Sequence, residues 1–208
     1  MSNFLEALQR ERIVVVIRGA ESSTLAQALR ALYEGGLRIF EITVEAPGAI
    51  DALSSVRQQL PEDALLGAGT VLDAGTAALT VAAGARFIVS PILSLEVCHA
   101  ARAHGVPCML GGMTPTDIHT AYQYGSEVVK VFPASTVGAT FMRELKGPLG
   151  FIPLCPTGGI TIENAGAFLE AGAVAVGVGS ALMKKEWVQH GNWDALRQAA
   201  SAWAKFSQ

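Results

Sequence analysis

Charge is scarce in this chain. Of its 208 residues, 16% are Asp, Glu, Lys or Arg, with a net charge of −3. No cluster of basic residues gathers anywhere, so a nucleic-acid partner is not expected. Cysteine is scarcer. Cys98, Cys108 and Cys155 are an odd number with no CxxC spacing, which argues against a disulfide framework and for reduced thiols in a cytoplasmic protein. No apolar run is long enough to cross a bilayer without glycine, proline or charge, so no membrane partner is expected either. The stretch from Met1 to Arg12 alternates charged and apolar groups and lacks the apolar core of a signal peptide. His99, His104, His119 and His190 fall on expected helices or beyond them, and the spacing of His99 and His104 does not align two ligands on a helix face. No metal and no other cofactor is therefore expected.

What is present is apolar and rhythmic. Half the residues are apolar, and 22 glycines are dispersed along the chain. After a short amphipathic helix over residues 2–10, β-type runs begin near 13, 39, 65, 87, 107, 128, 152 and 174, each followed by a helical stretch. Asp73, Ser94, Thr114 and Thr161 read as helix caps, and Pro115 suits a first helical turn. Parallel βα units at intervals of 20 to 26 residues predict an α/β fold, a (β/α)₈ TIM barrel with an extra N-terminal helix, forming one domain over residues 1–208. A doubly wound open sheet is the rival. It would place a phosphate-binding turn after the first strand, and none is seen there.

In such a barrel, chemistry collects at the carboxyl ends of the strands. The run Val128–Pro133 carries Lys130 among β-branched residues, so alternation places Lys130 and Phe132 on one face and Val129 and Val131 on the other. The same parity turns Glu41 and Thr43 inward on the second strand, and Arg18 inward at the end of the first. A structural ion pair or an edge-strand lysine facing water would explain these charges without catalysis. Three of them at strand ends of one barrel favour an active site. A lysine in an apolar interior is expected to lose its proton readily and to attack carbonyl carbon. Pro156-Thr157-Gly158-Gly159 and Gly179-Ser180 follow the seventh and eighth strands, the habitual phosphate site of this architecture, although ordinary tight turns would look alike. Lysine, carboxylate and phosphate cradle together suggest imine chemistry on a phosphorylated ketone. A barrel epimerase and a non-catalytic sugar-phosphate sensor are the competing readings.

These residues resemble the bacterial 2-keto-3-deoxy-6-phosphogluconate (KDPG) and 4-hydroxy-2-oxoglutarate (KHG) aldolases. The resemblance runs from about residue 10 to 185. Its motifs are Glu-Ile-Thr at 41–43, Gly-Ala-Gly-Thr-Val at 67–71, Val-Ser-Pro at 89–91, Met-Thr-Pro-Thr at 113–116, Lys-Val-Phe-Pro at 130–133, Pro-Thr-Gly-Gly at 156–159 and Val-Gly-Ser at 178–180. It implies Lys130 as the Schiff-base lysine and Glu41 as general acid and base. Thr70 would contact the pyruvyl carboxylate, and Pro91 and Phe132 would line the pocket. Arg18, Thr157, Gly158, Gly159, Gly179 and Ser180 would hold the rest of the substrate and its phosphate. It also implies a cytoplasmic homotrimer of carbohydrate metabolism that splits a phosphorylated 2-keto-3-deoxy sugar acid into pyruvate and glyceraldehyde 3-phosphate. Thr157 resembles the phosphogluconate type, whereas phosphogalactonate enzymes tend to carry an apolar residue there. One departure stands out. Many members carry arginine four residues after the glutamate, and here that place is Glu45. A carboxylate there repels pyruvate unless it turns away or pairs with a cation. Arg18 is expected to take part of the missing role.

Overall fold

The computed structural model describes residues 4–19 and 22–207. Ser2 and Asn3, the start of the expected first helix, lie outside the described residues. In chain order the elements are α1 (Phe4–Glu11), β1 (Ile13–Ile17), α2 (Ser22–Glu34), β2 (Ile39–Thr43), α3 (Ala49–Arg57), β3 (Leu65–Gly69), α4 (Ala74–Ala82), β4 (Ile88–Val89) and α5 (Leu95–Ala103). There follow β5 (Cys108–Met109), β6 (Gly111–Gly112), α6 (Pro115–Gln123), β7 (Val129–Val131), α7 (Ala134–Leu149), β8 (Leu154–Pro156), α8 (Ala165–Glu170), β9 (Val176–Val178), α9 (Lys185–Gln189) and α10 (Trp193–Trp203). Among the described residues no helix is long and apolar enough to cross a membrane.

This is an α/β fold of parallel strands. One sheet runs in the order β5-β4-β3-β2-β1-β9 and a second in the order β6-β7-β8. They meet at both ends. Leu110 alone separates β5 from β6, and its carbonyl accepts a hydrogen bond from the Lys130 N–H at 2.9 Å. Thr157, just beyond β8, forms a parallel bridge with Gly177 of β9.

The strands are buried on both faces, which is why they read as near-continuous apolar runs. On one face Val15, Ile17, Phe40, Ile42, Val129 and Val131 pack in a large cluster with helix residues such as Leu25, Leu29, Leu53 and Leu145. On the other face Val14, Ile39, Phe87, Val89, Met109, Val128, Cys155 and Ala175 form a second, smaller cluster. Residues from both sheets meet there, so the strands curl around this inner core. Helix α1 seals its amino-end side. Phe4, Ala7 and Leu8 join the inner cluster, and the Phe4 ring stacks on Phe87 at 5.0 Å between centroids.

The helix starts follow local chemistry. The Asp73 side chain accepts from the Thr76 N–H, and Ser94 accepts from the Val97 N–H. Thr114 and Asp117 form a reciprocal capping box with Pro115 in the first turn. Such caps contribute about 1 kcal/mol each. Elsewhere the sequence expectation shifts. The helix expected from about 139 is present, and α7 adds a short helical stretch from Ala134 ahead of it, the two separated by a kink at the non-helical Gly138 (φ 70°, ψ 175°). The helix expected to start at Thr161 starts at Ala165; the Asn164 side chain instead accepts from the Thr161 N–H. Phe151 is not in a strand. It is exposed and meets Tyr122 edge-on at 5.6 Å, while β8 begins only after Pro153. The short helix α9 had no periodic signal in the sequence.

Candidate active site

Strand β7 is three residues long and wholly buried. Its register sets Lys130 between Gly111 of β6 and Cys155 of β8. The neighbours Val129 and Val131 face the helices, so Lys130 faces the inner core. Glu41 does the same from β2, between Phe40 and Ile42. Both charged residues are buried, with 4% and 1% of their surface exposed. Lys130 Nζ lies 3.7 Å from Glu41 Oε1. At that separation the two attract without a hydrogen bond, and Oε1 accepts no hydrogen bond from any described group. Buried acceptors are nearly always satisfied, so an orphan oxygen beside an ammonium marks a place built for something other than stability.

Backbone economy makes the room. A Cβ at Gly69 of β3 would stand 1.9 Å from Glu41 Oε1, so only glycine leaves space for the carboxylate. Phe132, on the same face as Lys130, places its ring 5.2 Å from Nζ. The Thr43 hydroxyl donates to the Ile17 carbonyl at 3.3 Å and ties the ends of β1 and β2 together. Ser90 is fully buried at the end of β4, with Pro91 half-buried after it.

Next to these groups stands Thr70, just past β3. Its φ of 59° is left-handed, a conformation uncommon outside glycine and typical of sites where strain is held by the surroundings. Arg18 Nη2 lies 3.5 Å from its hydroxyl. Arg18 itself corrects the sequence reading. It does not point into the interior, because pairing of β1 ends at Ile17 and strand alternation ends with it. The side chain is 61% exposed and reaches across the rim to pair with Glu45. Of the three charged groups expected there, Glu41 and Lys130 share the interior and Arg18 does not. Glu45 meets the condition stated for it: it pairs with a cation.

The glycine turns lie at the neighbouring strand ends. Thr157 is buried after β8, and a Cβ at Gly177 would lie 2.2 Å from its Oγ1. Gly158 (φ 91°) and Gly159 (φ 74°) then turn in conformations that favour glycine, their carbonyl side anchored where the Ser135 N–H donates to the Gly158 oxygen at 3.0 Å. Gly179 is half-buried and Ser180 exposed after β9. A cleft of about 620 Å³ opens beside Arg18, lined also by Gly19, Met183, Lys185 and His190. His99, His104 and His190 are on the surface and His119 is half-buried. Among the described residues no group of three His, Cys, Asp or Glu side chains is placed to hold a metal ion.

One neighbour escaped the sequence reading. Cys155 faces the inner core directly opposite Lys130, and burial pushes its thiol up to about 12 against the pull of the lysine. Its parity with Thr157, two residues on, was the available signal.

Comparison with known proteins gives the chain its family. The KDPG and KHG aldolase family matches residues 5–199. The chain belongs to that family. The 2-dehydro-3-deoxy-phosphogluconate aldolase of Treponema pallidum (strain Nichols) is 35% identical over 197 residues, covering 94% of this chain and 93% of the relative. The KHG/KDPG aldolase of Escherichia coli (strain K12) is 31% identical, covering 90% and 87%. Among solved structures, KDPG aldolase from Legionella pneumophila, captured with pyruvate as a covalent carbinolamine intermediate, superposes with a TM-score of 0.89 at 29% identity, covering 97% of this chain and 98% of that one. The aldolase family thus accounts for almost the whole chain.

Proposed function

We propose that this protein is a class I aldolase that cleaves 2-dehydro-3-deoxy-6-phosphogluconate to pyruvate and glyceraldehyde 3-phosphate, with Lys130 as the imine-forming residue. The observation that carries the reading is the buried Lys130–Glu41 pair, 3.7 Å apart across the inner core from two strands that do not pair, β7 and β2, with an orphan carboxylate oxygen. The similar Legionella protein held pyruvate as a covalent carbinolamine.

The chemistry follows from these groups. Lys130 Nζ, as the free amine, attacks the C2 ketone, and Glu41 moves a proton from nitrogen to the developing alkoxide. Loss of water with a second proton gives the protonated imine. Glu41 then takes the proton of the C4 hydroxyl. The C3–C4 bond breaks, its electron pair flows into the imine to form an enamine, and the aldehyde leaves. Protonation of the enamine at C3 and hydrolysis release pyruvate and free Lys130. Phe132 and Pro91 bound the pyruvyl end, and Thr70 with Arg18 faces its carboxylate. Thr157 hydrogen-bonds a sugar hydroxyl. The turns at Gly158-Gly159 and Gly179-Ser180 receive the phosphate through backbone N–H groups.

The same reading takes the whole chain as one (β/α)₈ barrel domain. Its support is that β5 and β6 are one strand interrupted at Leu110, and that the Thr157–Gly177 bridge joins β8 to β9, so the paired segments reduce to eight. We place the enzyme in the cytoplasm as a homotrimer, as the family resemblance implies.

The test is borohydride reduction with pyruvate, followed by intact mass and peptide mapping. A pyruvyl-sized adduct on Lys130, absent from Lys130→Ala, is expected. A folded protein that traps nothing would overturn the reading, and an adduct on Lys146, Lys184 or Lys185 would overturn the assignment of the lysine. Parallel cleavage assays with the phosphogluconate, phosphogalactonate and 4-hydroxy-2-oxoglutarate substrates rank their kcat/KM.

A further inference from the structure

The residue that departs from the family pattern is part of a small assembly. The ends of β1, β2 and β3 adjoin, with Ile17 in register with Ile42 and Thr43 with Gly69. Each contributes one polar side chain within two residues of its last paired one: Arg18, Glu45 and Thr70. Nη1 of Arg18 pairs with Glu45 Oε1, while Nη2 lies 3.5 Å from Thr70 Oγ1. Glu45 shares strand parity with Glu41 and Thr43, and the Val44 N–H donates to the Gly69 carbonyl at 2.9 Å, so the chain is still held against β3 where Glu45 departs from it.

The pair is an exposed one, with 61% and 36% of the two side chains open to solvent. Exposed ion pairs contribute little to folding. What the pair does accomplish is geometric. A free arginine samples many rotamers, and each group that binds through it must first order it. Here one edge of the planar guanidinium is fixed by Glu45, and the other is brought to Thr70 at the mouth of the Lys130–Glu41 site.

We propose that Glu45 is a positioning residue that holds the Arg18 guanidinium beside Thr70, so that its remaining N–H groups meet the carboxylate of a 2-oxo acid. The proposal rests on the aldolase reading above. Because Glu45 cancels the charge of Arg18, the assembly selects the carboxylate by the direction of its hydrogen bonds more than by attraction of charge. Glu45 touches neither the ketone nor the reacting bond, so its effect belongs in KM and not in kcat.

Two variants separate position from charge. Glu45→Gln removes the charge and keeps an oxygen that accepts from Arg18. Glu45→Ala removes both. Pyruvate KM and kcat are measured in the condensation direction with glyceraldehyde 3-phosphate, for both variants, for Arg18→Ala and for the double variant. Glu45→Ala is expected to raise KM about tenfold with kcat within about threefold, the signature of lost uniform binding, and Glu45→Gln to restore KM to within about threefold. On the Arg18→Ala background, Glu45→Ala is expected to change nothing further. Equal values for the two variants, a fall of KM in both, or an effect that survives without Arg18 would each overturn the proposal. Borohydride trapping on the unaltered protein distinguishes the two failures. If it traps pyruvate and the KM pattern is absent, only the role of Glu45 falls; if it traps none, the aldolase reading falls and takes this one with it.

Discussion

Gly67 and Gly69 stand two residues apart on the same face of β3, and each is kept free of a side chain by what lies opposite. A Cβ at Gly67 would lie 2.5 Å from the Phe87 ring; one at Gly69 would lie 1.9 Å from the Glu41 carboxylate. The same backbone device serves opposite ends. Towards the amino ends of the strands it admits an aromatic ring that stacks on Phe4 of α1 in an apolar cluster. Towards the carboxyl ends it admits a buried carboxylate facing a buried lysine. Apolar burial at about 25 cal/mol per Å² stabilises the first layer, whereas buried ion pairs contribute weakly at best. One layer holds the fold, and the other spends part of that stability on reactivity.

The largest effect expected from the reactive layer is at Glu41. Glu41→Gln keeps the size of the side chain and removes its proton shuttle, so kcat is expected to fall about 10²–10⁴-fold. Urea denaturation should find the variant less stable than the parent, since removing one partner of a buried ion pair leaves the charge of Lys130 uncompensated. A modest kcat change would deny Glu41 its role. Gly69→Ala follows. The added carbon displaces the Glu41 carboxylate, whose end is flexible, so about a 10²-fold loss in kcat is expected for a misplaced catalytic group. Single-turnover trapping with borohydride tells misplacement from loss of lysine access. Imine formation should slow along with turnover, because Glu41 serves both steps.

Gly67→Ala is the counterpart that makes the comparison sharp. The ring of Phe87 has no open side to retreat to, so overpacking is expected to cost about 1–3 kcal/mol. At this chain length each kcal/mol lowers Tm by about 2–4 °C. Below the transition, kcat should stay within about twofold. If Gly67→Ala lost activity before stability, or Gly69→Ala lost stability before activity, the division into a holding and a reacting layer would be wrong.

Much of this division is written in alternation. Apolar residues on both parities marked strands covered on both faces, and the one charged residue inside each of two runs, Glu41 and Lys130, identified the side facing the inner core. Caps at Asp73, Ser94 and Thr114 were equally local. What eluded the sequence depends on partners far along the chain. Arg18 looked interior because its parity was extended one residue beyond the last pairing of β1. Glu45 and Arg18 are 27 residues apart, and only the adjacency of two strand ends joins them. Cys155 faces Lys130 through a register between β7 and β8 that no single strand encodes. The short helical stretch from Ala134 was missed because the non-helical Gly138 cuts it off from the periodic run that follows.

Cys155 offers the finest test, because it lies where the two layers meet. It belongs to the apolar inner cluster, yet stands opposite the lysine. Burial raises its thiol from 9.0 to about 12, while Lys130 pulls it down. The unfolded chain therefore releases this proton first as pH rises. Stability from the buried neutral thiol is fully present below about pH 9, and declines by about 1.4 kcal/mol per pH unit until pH passes about 12. Cys108, also buried, is pushed upward as well, so the decline in the unaltered protein contains both thiols. Urea midpoints compared between the parent and Cys155→Ala from about pH 8 to 11 isolate the part due to Cys155, and the variant should show the shallower decline. Parallel slopes would mean that this thiol is not held neutral by burial. Repeating the comparison on Lys130→Ala sharpens the point. Without the ammonium the thiol should hold its proton to still higher pH, so the difference between Cys and Ala at position 155 should persist further into alkaline solution. If it did not, Lys130 would exert no pull on this thiol, and the electrostatic contrast between the two layers would be smaller than their geometry implies.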